Sequence, residues 1–434
     1  MKYSKYNNQM IDFIKKSPTP FHAVSNIAHL LSSKGFVCLK ENEAWQLKRG
    51  EGYYVIRNDS SIIAFIIGEN DPIKTGIRFV GAHTDSPCIK IKPSPEIFKN
   101  SYYQLGTEIY GGVLLSTWFD RDLSIAGKVI FKTSKNKLHE ALVDIRKPVA
   151  IIPSLAIHLD ENANKGHTIN PEKEILPILF ECKDYGENFR EILAAELINQ
   201  SPSLADSGNL IIIDYDLSFY DAQAPAIVGL KGDFISGARL DNLLSCFAGT
   251  QAMIQSNRAI TSIFACYDHE EVGSTSAIGA NSVFMESILN RLFEKNETQS
   301  RVLANSMFVS TDNAHGIHPN FPDKHDKKHA PILNHGLVIK VNANQRYATN
   351  FLTSSIIKNL CDDIDIPTQY FSNRADISCG STIGPMSAAN IGIKTIDIGV
   401  PTFAMHSIRE TAGAKDAFYL SKMLKNFFDV KELS

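Results

Sequence analysis

The sequence predicts an α/β fold in two parts. A discontinuous domain, residues 1–93 and 232–434, is built on a central mixed sheet flanked by helices, and a β-rich domain, residues 94–231, is inserted between its halves. Three observations predict it. The chain has 434 residues, well beyond the roughly 100–200 of one typical domain. Several strand-like runs are apolar on both faces, as in a sheet covered on both sides. Finally, the pattern that opens the chain gives way near residue 94 to short strand-like pieces, and after Ser236 long helices and strands alternate.

The elements follow in order. Met10, Ile11, Phe13 and Ile14 recur on one face of a first helix, which SPTP breaks before a second amphipathic stretch from Phe21 to Leu31. Ser17 and Thr19 stand where N-cap oxygens are wanted, and Pro20 suits a first helical turn. Strands are expected in GYYVIR (52–57), SIIAFIIG (61–68) and GIRFVGAHTDSP (76–87). In the insert, VLLSTWF, GKVIFK, VAIIP and LIIIDYDL read as short strands between polar turns, interrupted by the helix FREILAAELINQ. Beyond it come LDNLLSCFAGTQAMIQ as helix, TSIFACY as strand, FMESILNRLFEK as helix and SMFVSTD as strand.

Composition excludes several classes of function. With 44% hydrophobic and 21% charged residues the chain is an ordinary globular one, not a disordered one. A net charge of −3 argues against a dedicated nucleic-acid binder. No apolar run approaches the roughly 18–20 residues of a membrane span, and MKYSKYNNQMIDFIKKSPTP lacks the apolar core of a secretion signal. Seven scattered cysteines, none in a CxxC pair, fit a reducing cytoplasm and disfavour a thiolate metal site. A metal here must be held by His and carboxylates.

Such residues stand at strand ends, where ligand crevices of open α/β sheets form. RFVGAHTDSP places His83 and Asp85 just after a strand, and an i, i+2 pair lets Asp85 orient the imidazole; a surface His beside a turn Asp is the bland alternative. Glu270 and Glu271 are adjacent after another buried strand. Either they are a solvated loop, or one binds metal while its neighbour takes a proton from an activated water. Asp312 follows a third strand, in a stretch that also holds His315, His318, His325, His329 and His335, most of which read as incidental. Asp241 opens a helix, where the dipole alone favours a carboxylate, and His406 follows a strand and a turn. Two His, two Asp and one Glu cannot all serve one tetrahedral zinc. They suit two, with one aspartate bridging.

The chain resembles the M18 metallo-aminopeptidases, and among them the aspartyl aminopeptidases. SPTPFHAV (17–24), GAHTDSP (81–87), RLDNLLSCF (239–247), DHEEVGS (268–274), STDNAHGIHPN (310–320), VIKVNANQRYATN (338–350), CGSTIGP (379–385) and AMHSIRE (404–410) stand in family order. The resemblance implies a dinuclear zinc enzyme (Mn or Co as alternatives) that releases N-terminal residues, acidic ones in the aspartyl branch, from peptides. It implies His83 and Asp312 on one metal, Glu271 and His406 on the other, Asp241 as the bridge and Glu270 as general base. It also implies that the insert is a dimerisation domain within a dodecamer, and that His158 in AIHLDENANKG (156–166) reaches a neighbouring subunit's active site. Asp-Glu-Asn follows His158-Leu159 where relatives often carry Arg-Asn, and His167 competes for the role. Lys340 is expected to meet an acidic substrate side chain, with a Lys snorkelling from a strand end as the bland reading, and His315 is expected as a further substrate-binding residue. The competing classes are a neutral or broad aminopeptidase, a carboxypeptidase or deacylase of the same metal architecture, and a catalytically silent assembly protein. Glu270 and all five ligands being present weighs against the last.

Overall fold

Strand Arg78–His83 lies between Ser262–Tyr267 and Met307–Thr311 and runs parallel to both. Around this trio the computed structural model, which describes residues 3–133, 137–182, 187–207, 210–294 and 296–433, builds a nine-stranded mixed sheet among the described residues. Lys394–Gly399 adds a fourth parallel strand, Ser61–Ile66 flanks Ser262–Tyr267 in antiparallel fashion, and Leu337–Lys340 does the same to Lys394–Gly399.

Alternation along these strands sorts their side chains into two cores. Val80, Phe264, Val309 and Ile339 pack with Met10, Ile27, Leu244, Ile357 and Leu424, so five helices (Ser4–Lys15, Pro20–Ser32, Leu240–Gln255, Phe351–Asp362, Asp416–Asp429) close one face. Phe79, Ile263 and Phe308 pack instead with Phe284, Val302 and Ile383 from three helices on the other. Full burial of each such side chain stabilises by about 1.5–3 kcal/mol. At the second helix Thr19 is the N-cap and Pro20 opens the first turn, but the Thr19 hydroxyl meets the His22 ring at 2.8 Å rather than a backbone amide.

A smaller five-stranded sheet escapes the sequence reading. Its order is Ala226–Val228, Phe234–Gly237, Glu410–Gly413, Pro401–Phe403, Ala314–His315. Its strands are two to four residues long, too short for a period-2 signal to stand out.

The second unit comprises Pro87–Ala224 and the short return His406–Arg409. The expected break at 94 falls inside the continuous strand Cys88–Lys99. At the other end, Ala226–Val228 pairs with Phe234–Gly237, before the expected break at 231. Among the described residues this unit forms a six-stranded antiparallel sheet, ordered Leu138–Asp144, Leu123–Lys132, Ile211–Asp221, Cys88–Lys99, Tyr102–Tyr110, Ile178–Glu181. Helix Phe189–Gln200 buries Phe189, Leu193 and Leu197 among Ile125, Val129, Phe131 and Phe219. VLLSTWF is not a strand: Leu115–Trp118 forms a 3-10 turn with Trp118 buried. The i, i+3 spacing of Leu115 and Trp118 fits that turn better than it fits a pleat. VAIIP contributes only isolated bridges at Ala150 and Ile151.

Candidate metal centre

Register brings the strand-end residues together. Tyr267 pairs with His83, and Ser310 with Gly81, so Asp312 emerges level with His83 while Asp268–Glu271 leaves the sheet beside it. Backbone crowding fixes the place of Asp312, since a Cβ at Gly399 would collide with its carbonyl oxygen. After Tyr267 the chain turns sharply at His269, whose φ is 66°, into the 3-10 turn Glu270–Val272.

His83 is buried, and both of its ring nitrogens face carboxylates. Nδ1 lies 3.0 Å from the Asp85 carbonyl oxygen and 3.3 Å from its Oδ1. Nε2 lies 3.6 Å from Asp241 Oδ1 and 3.6 Å from Asp312 Oδ1. Burial works to lower the His83 pKa, yet Asp241, Asp312 and Asp85 outweigh it and hold the imidazole well above its usual value.

Asp85 reaches further than its histidine. Its two oxygens accept the backbone N–H groups of Glu270 at 3.2 Å and Glu271 at 3.1 Å. Both glutamates are thus hung from one carboxylate. Burial, with Asp312, Glu271 and Asp85 adding repulsion against the pull of His83, keeps the Glu270 carboxyl well above the usual range.

Asp241 is not an ordinary helix cap. It and Asn242 interrupt the start of helix Leu240–Gln255 with non-helical backbone angles. The Asp241 N–H donates to Glu410 Oε2 at 2.8 Å, and the Ser86 hydroxyl donates to its carbonyl at 2.7 Å. The Asn242 side-chain amide donates to the Thr311 carbonyl at 2.8 Å, tying this segment to the strand that delivers Asp312.

Lys340, at the end of Leu337–Lys340, is 2% exposed. Its ammonium donates to Asp312 Oδ2 at 3.0 Å, to the Asp312 carbonyl at 3.3 Å and to the Asn313 carbonyl at 2.9 Å. Burial alone would raise the Asp312 pKa, but Lys340 and then His83 hold it well below the carboxylate range. Lys340 also lies 4.9 Å from the centre of the Tyr347 ring. Tyr347 meets Phe371 at 6.3 Å, and Phe371 meets His315 edge-on at 5.8 Å. Lys340 and His315 are therefore joined by a wall of two aromatic rings that the sequence reading passed over. Glu410 was also passed over, although it stands in the quoted AMHSIRE segment.

The remaining predicted residues lie in the second unit. His406 has its Nδ1 3.1 Å from the Gly112 carbonyl, an anchor that orients the ring. His158 is exposed on an irregular stretch of the insert. Of the other histidines, His318, His325, His329 and His335 join no metal-competent group among the described residues.

The donor set suits a divalent ion. Within the first unit, Met1–Ser86, Pro225–Met405 and Glu410–Ser434, His83, Asp241 and Asp312, and again His83, Glu270 and Glu271, bring one ligand atom each to within 4.8 Å of one another. Imidazole nitrogen with carboxylate oxygens, and no thiolate, is a donor set that Zn²⁺ accepts. No helix among the described residues is long and apolar enough to cross a membrane.

Comparison with known proteins agrees with this chemistry. Residues 13–428 match the family described as Aminopeptidase I zinc metalloprotease (M18). A protein of Pseudomonas syringae pv. tomato named "Probable M18 family aminopeptidase 2" is 51% identical over 428 residues, 98% of this chain and 99% of that one. A chain of the solved Ape4 and Nbr1 complex superposes with a TM-score of 0.91 at 38% identity, covering 97% of this chain and 84% of that chain. The S. cerevisiae mApe1 dodecamer gives 0.84 at 31% identity, covering 99% and 97%. With the match running nearly end to end, the chain belongs to the M18 family of zinc metalloproteases and is a metallo-exopeptidase, an aminopeptidase.

Proposed function

We propose that this chain is a co-catalytic dinuclear zinc aminopeptidase that releases acidic residues, Asp or Glu, from peptide N-termini. The observation that carries the two-metal reading is the placing of His83 Nε2 3.6 Å from both Asp241 and Asp312, with two further carboxylates, Glu270 and Glu271, on one adjoining turn. In this reading His83 and Asp312 would hold one ion, Glu271 and His406 the other, and Asp241 would be shared between them. Bound there, the ions would supply Lewis acidity toward the scissile carbonyl and the attacking water.

The chain's own residues do the rest. Glu270, whose carboxyl is pushed above its usual range by burial, accepts as the carboxylate the proton of the water and returns it to the leaving amine. Asp85 orients His83 and fixes the backbone of both glutamates. The acidic preference draws on Lys340, a cation at the foot of the Tyr347–Phe371 wall that ends at His315. A substrate carboxylate there would share an ammonium already bonded to Asp312 and Asn313.

Assembly belongs to the same proposal. The insert carries Leu155, Ile157 and Leu159 at 59%, 55% and 73% exposed, an apolar run that water disfavours and a second copy would cover. The relative mApe1 is a dodecamer, and this chain is read as a homo-oligomer of dimers, with His158 lent to a neighbouring subunit to stabilise the tetrahedral intermediate. The cytoplasm is the proposed compartment, in keeping with seven cysteines, none of which forms a disulfide among the described residues.

Metal analysis and a panel of N-terminal amino-acid arylamides test the reading together. Two zinc ions per subunit and preference for Asp or Glu are expected. Saturation at one ion would refute the dinuclear centre, and preference for Leu over Asp would refute the acidic specificity.

A further inference from the structure

Residues 152–170 of the insert form turns but no helix or strand, and His158 stands among them. A stretch of this length holds one conformation only where specific contacts offset its entropy. Local turns supply some: the Leu159 N–H donates to the Ala156 carbonyl at 2.8 Å and the Lys165 N–H to the Asn162 carbonyl at 2.8 Å. They shape the stretch without tying its ends.

His167 ties them. Its Nδ1 lies 3.2 Å from Asp160 Oδ2, and its Nε2 lies 2.7 Å from Glu174 Oε2. The second oxygen of each carboxylate is also engaged. Asp160 Oδ1 accepts the Asn162 N–H at 2.9 Å, and Glu174 Oε1 accepts the Asn170 N–H at 2.7 Å. The three side chains stand at equal spacing, so one ring joins the turn just after His158 to the short helix Pro171–Glu174 that closes the stretch. With both nitrogens committed inside its own loop, His167 is not a rival of His158 for the substrate.

A neutral imidazole carries one N–H and can donate to only one of two acceptors. The imidazolium donates to both. We propose that His167, as the imidazolium, is a positioning residue that staples residues 160 to 174 and thereby presents His158. The catalytic half of this rests on the proposed reach of His158 into a neighbouring active site; the staple itself does not.

The charged groups facing the ring are Asp160 and Glu174, with Lys173 beside the latter. Glu174 raises the His167 pKa, desolvation opposes it, and Asp160 adds a smaller upward push. The sign follows: the staple is fully formed below the ordinary histidine range and is lost as pH rises through the raised folded value.

Hydrogen–deuterium exchange on the full-length protein, corrected for intrinsic rates and followed between pH 6 and pH 9, tests this directly. Peptides spanning 156–170 should be several-fold more protected at the acid end in the wild type. In His167→Phe they should exchange fast at both ends, and Asp160→Asn or Glu174→Gln should each shrink the pH dependence. Protection that does not vary with pH, or that survives His167→Phe, would overturn the staple. For catalysis, His167→Phe should lower kcat with little change in KM. Loose loop peptides with an unchanged kcat would keep the staple and overturn its role in presenting His158.

Discussion

Replacing Lys340 with Met keeps the length of the stem and deletes three donors to Asp312 and Asn313. The Lys340 side chain is 3% exposed and that of Asp312 13%, so the pair is buried and solvent screening does little to weaken it. Removing one partner of a buried pair costs about 3–5 kcal/mol, because the remaining charge is stranded. In a chain of 434 residues that corresponds to a fall in Tm of roughly 3–6 °C. The loss depends on pH. Asp312 has a depressed folded pKa, with Lys340 as its main lowering influence. Its contribution to stability is present above the unfolded value and lost as pH falls through the folded one. Lys340→Met raises that folded value toward the unfolded one, so the variant should lose less stability on acidification and its deficit against wild type should shrink as pH falls below the unfolded carboxylate range. If Lys340 also meets the substrate acid, kcat/KM for an N-terminal Asp arylamide should fall by a further one to two decades relative to Leu, a charge-assisted contact being worth about 1.5–3 kcal/mol. Thermal melts at two pH values and parallel kinetics on the two substrates separate these effects. Equal loss on both substrates would confine Lys340 to holding Asp312. An unchanged melting profile would refute the buried pair as a stabilising contact.

Four further outcomes follow from the same geometry. Glu270→Gln should retain its zinc and lose about 10²–10⁴-fold in kcat; a fully active variant with its metal bound would remove Glu270 as base. Asp241→Ala should lose both metal content and activity, since a bridging ligand serves two ions, and an unchanged zinc stoichiometry would reduce Asp241 to a structural role. Chelation should lower Tm, by an amount equivalent to about 2.7 kcal/mol if free zinc had stood at a hundred times its Kd; a melt indifferent to chelator would argue against any metal at His83. Sedimentation should find a closed oligomer, and active monomers as the only species would end the case for His158 acting in a neighbouring subunit.

The parts of the site that were legible in the sequence are those that parallel strands deliver. His83 and Asp312 each stand at a strand end and Glu270 just past one, so apolar runs followed by polar donors located them without any knowledge of pairing. The five-stranded sheet was not legible, because its strands are two to four residues long. Glu410 lies in that sheet, and its role depends on meeting the Asp241 amide from 169 residues away. Nothing in the sequence marks Tyr347 or Phe371, and only their contacts with Lys340 and His315 give them meaning. Helix Phe189–Gln200 was found by its pattern, whereas VLLSTWF misled because an apolar run of that length fits a turn as well as a strand.

Asp85 shows how a short motif can carry more than its spacing suggests. In sequence it is the carboxylate two residues after a histidine, and the expected partner is that imidazole. In the structure it also accepts the amides of Glu270 and Glu271, which belong to the loop after the neighbouring strand. The Asp85 carboxylate also raises the Glu270 carboxyl and helps hold His83 above its usual value. One buried side chain therefore couples the position of a proposed ligand, the position of the proposed base and the proton affinity of both. Because Asp85 follows one strand and holds the turn after its neighbour, displacing it would disturb base and ligand together.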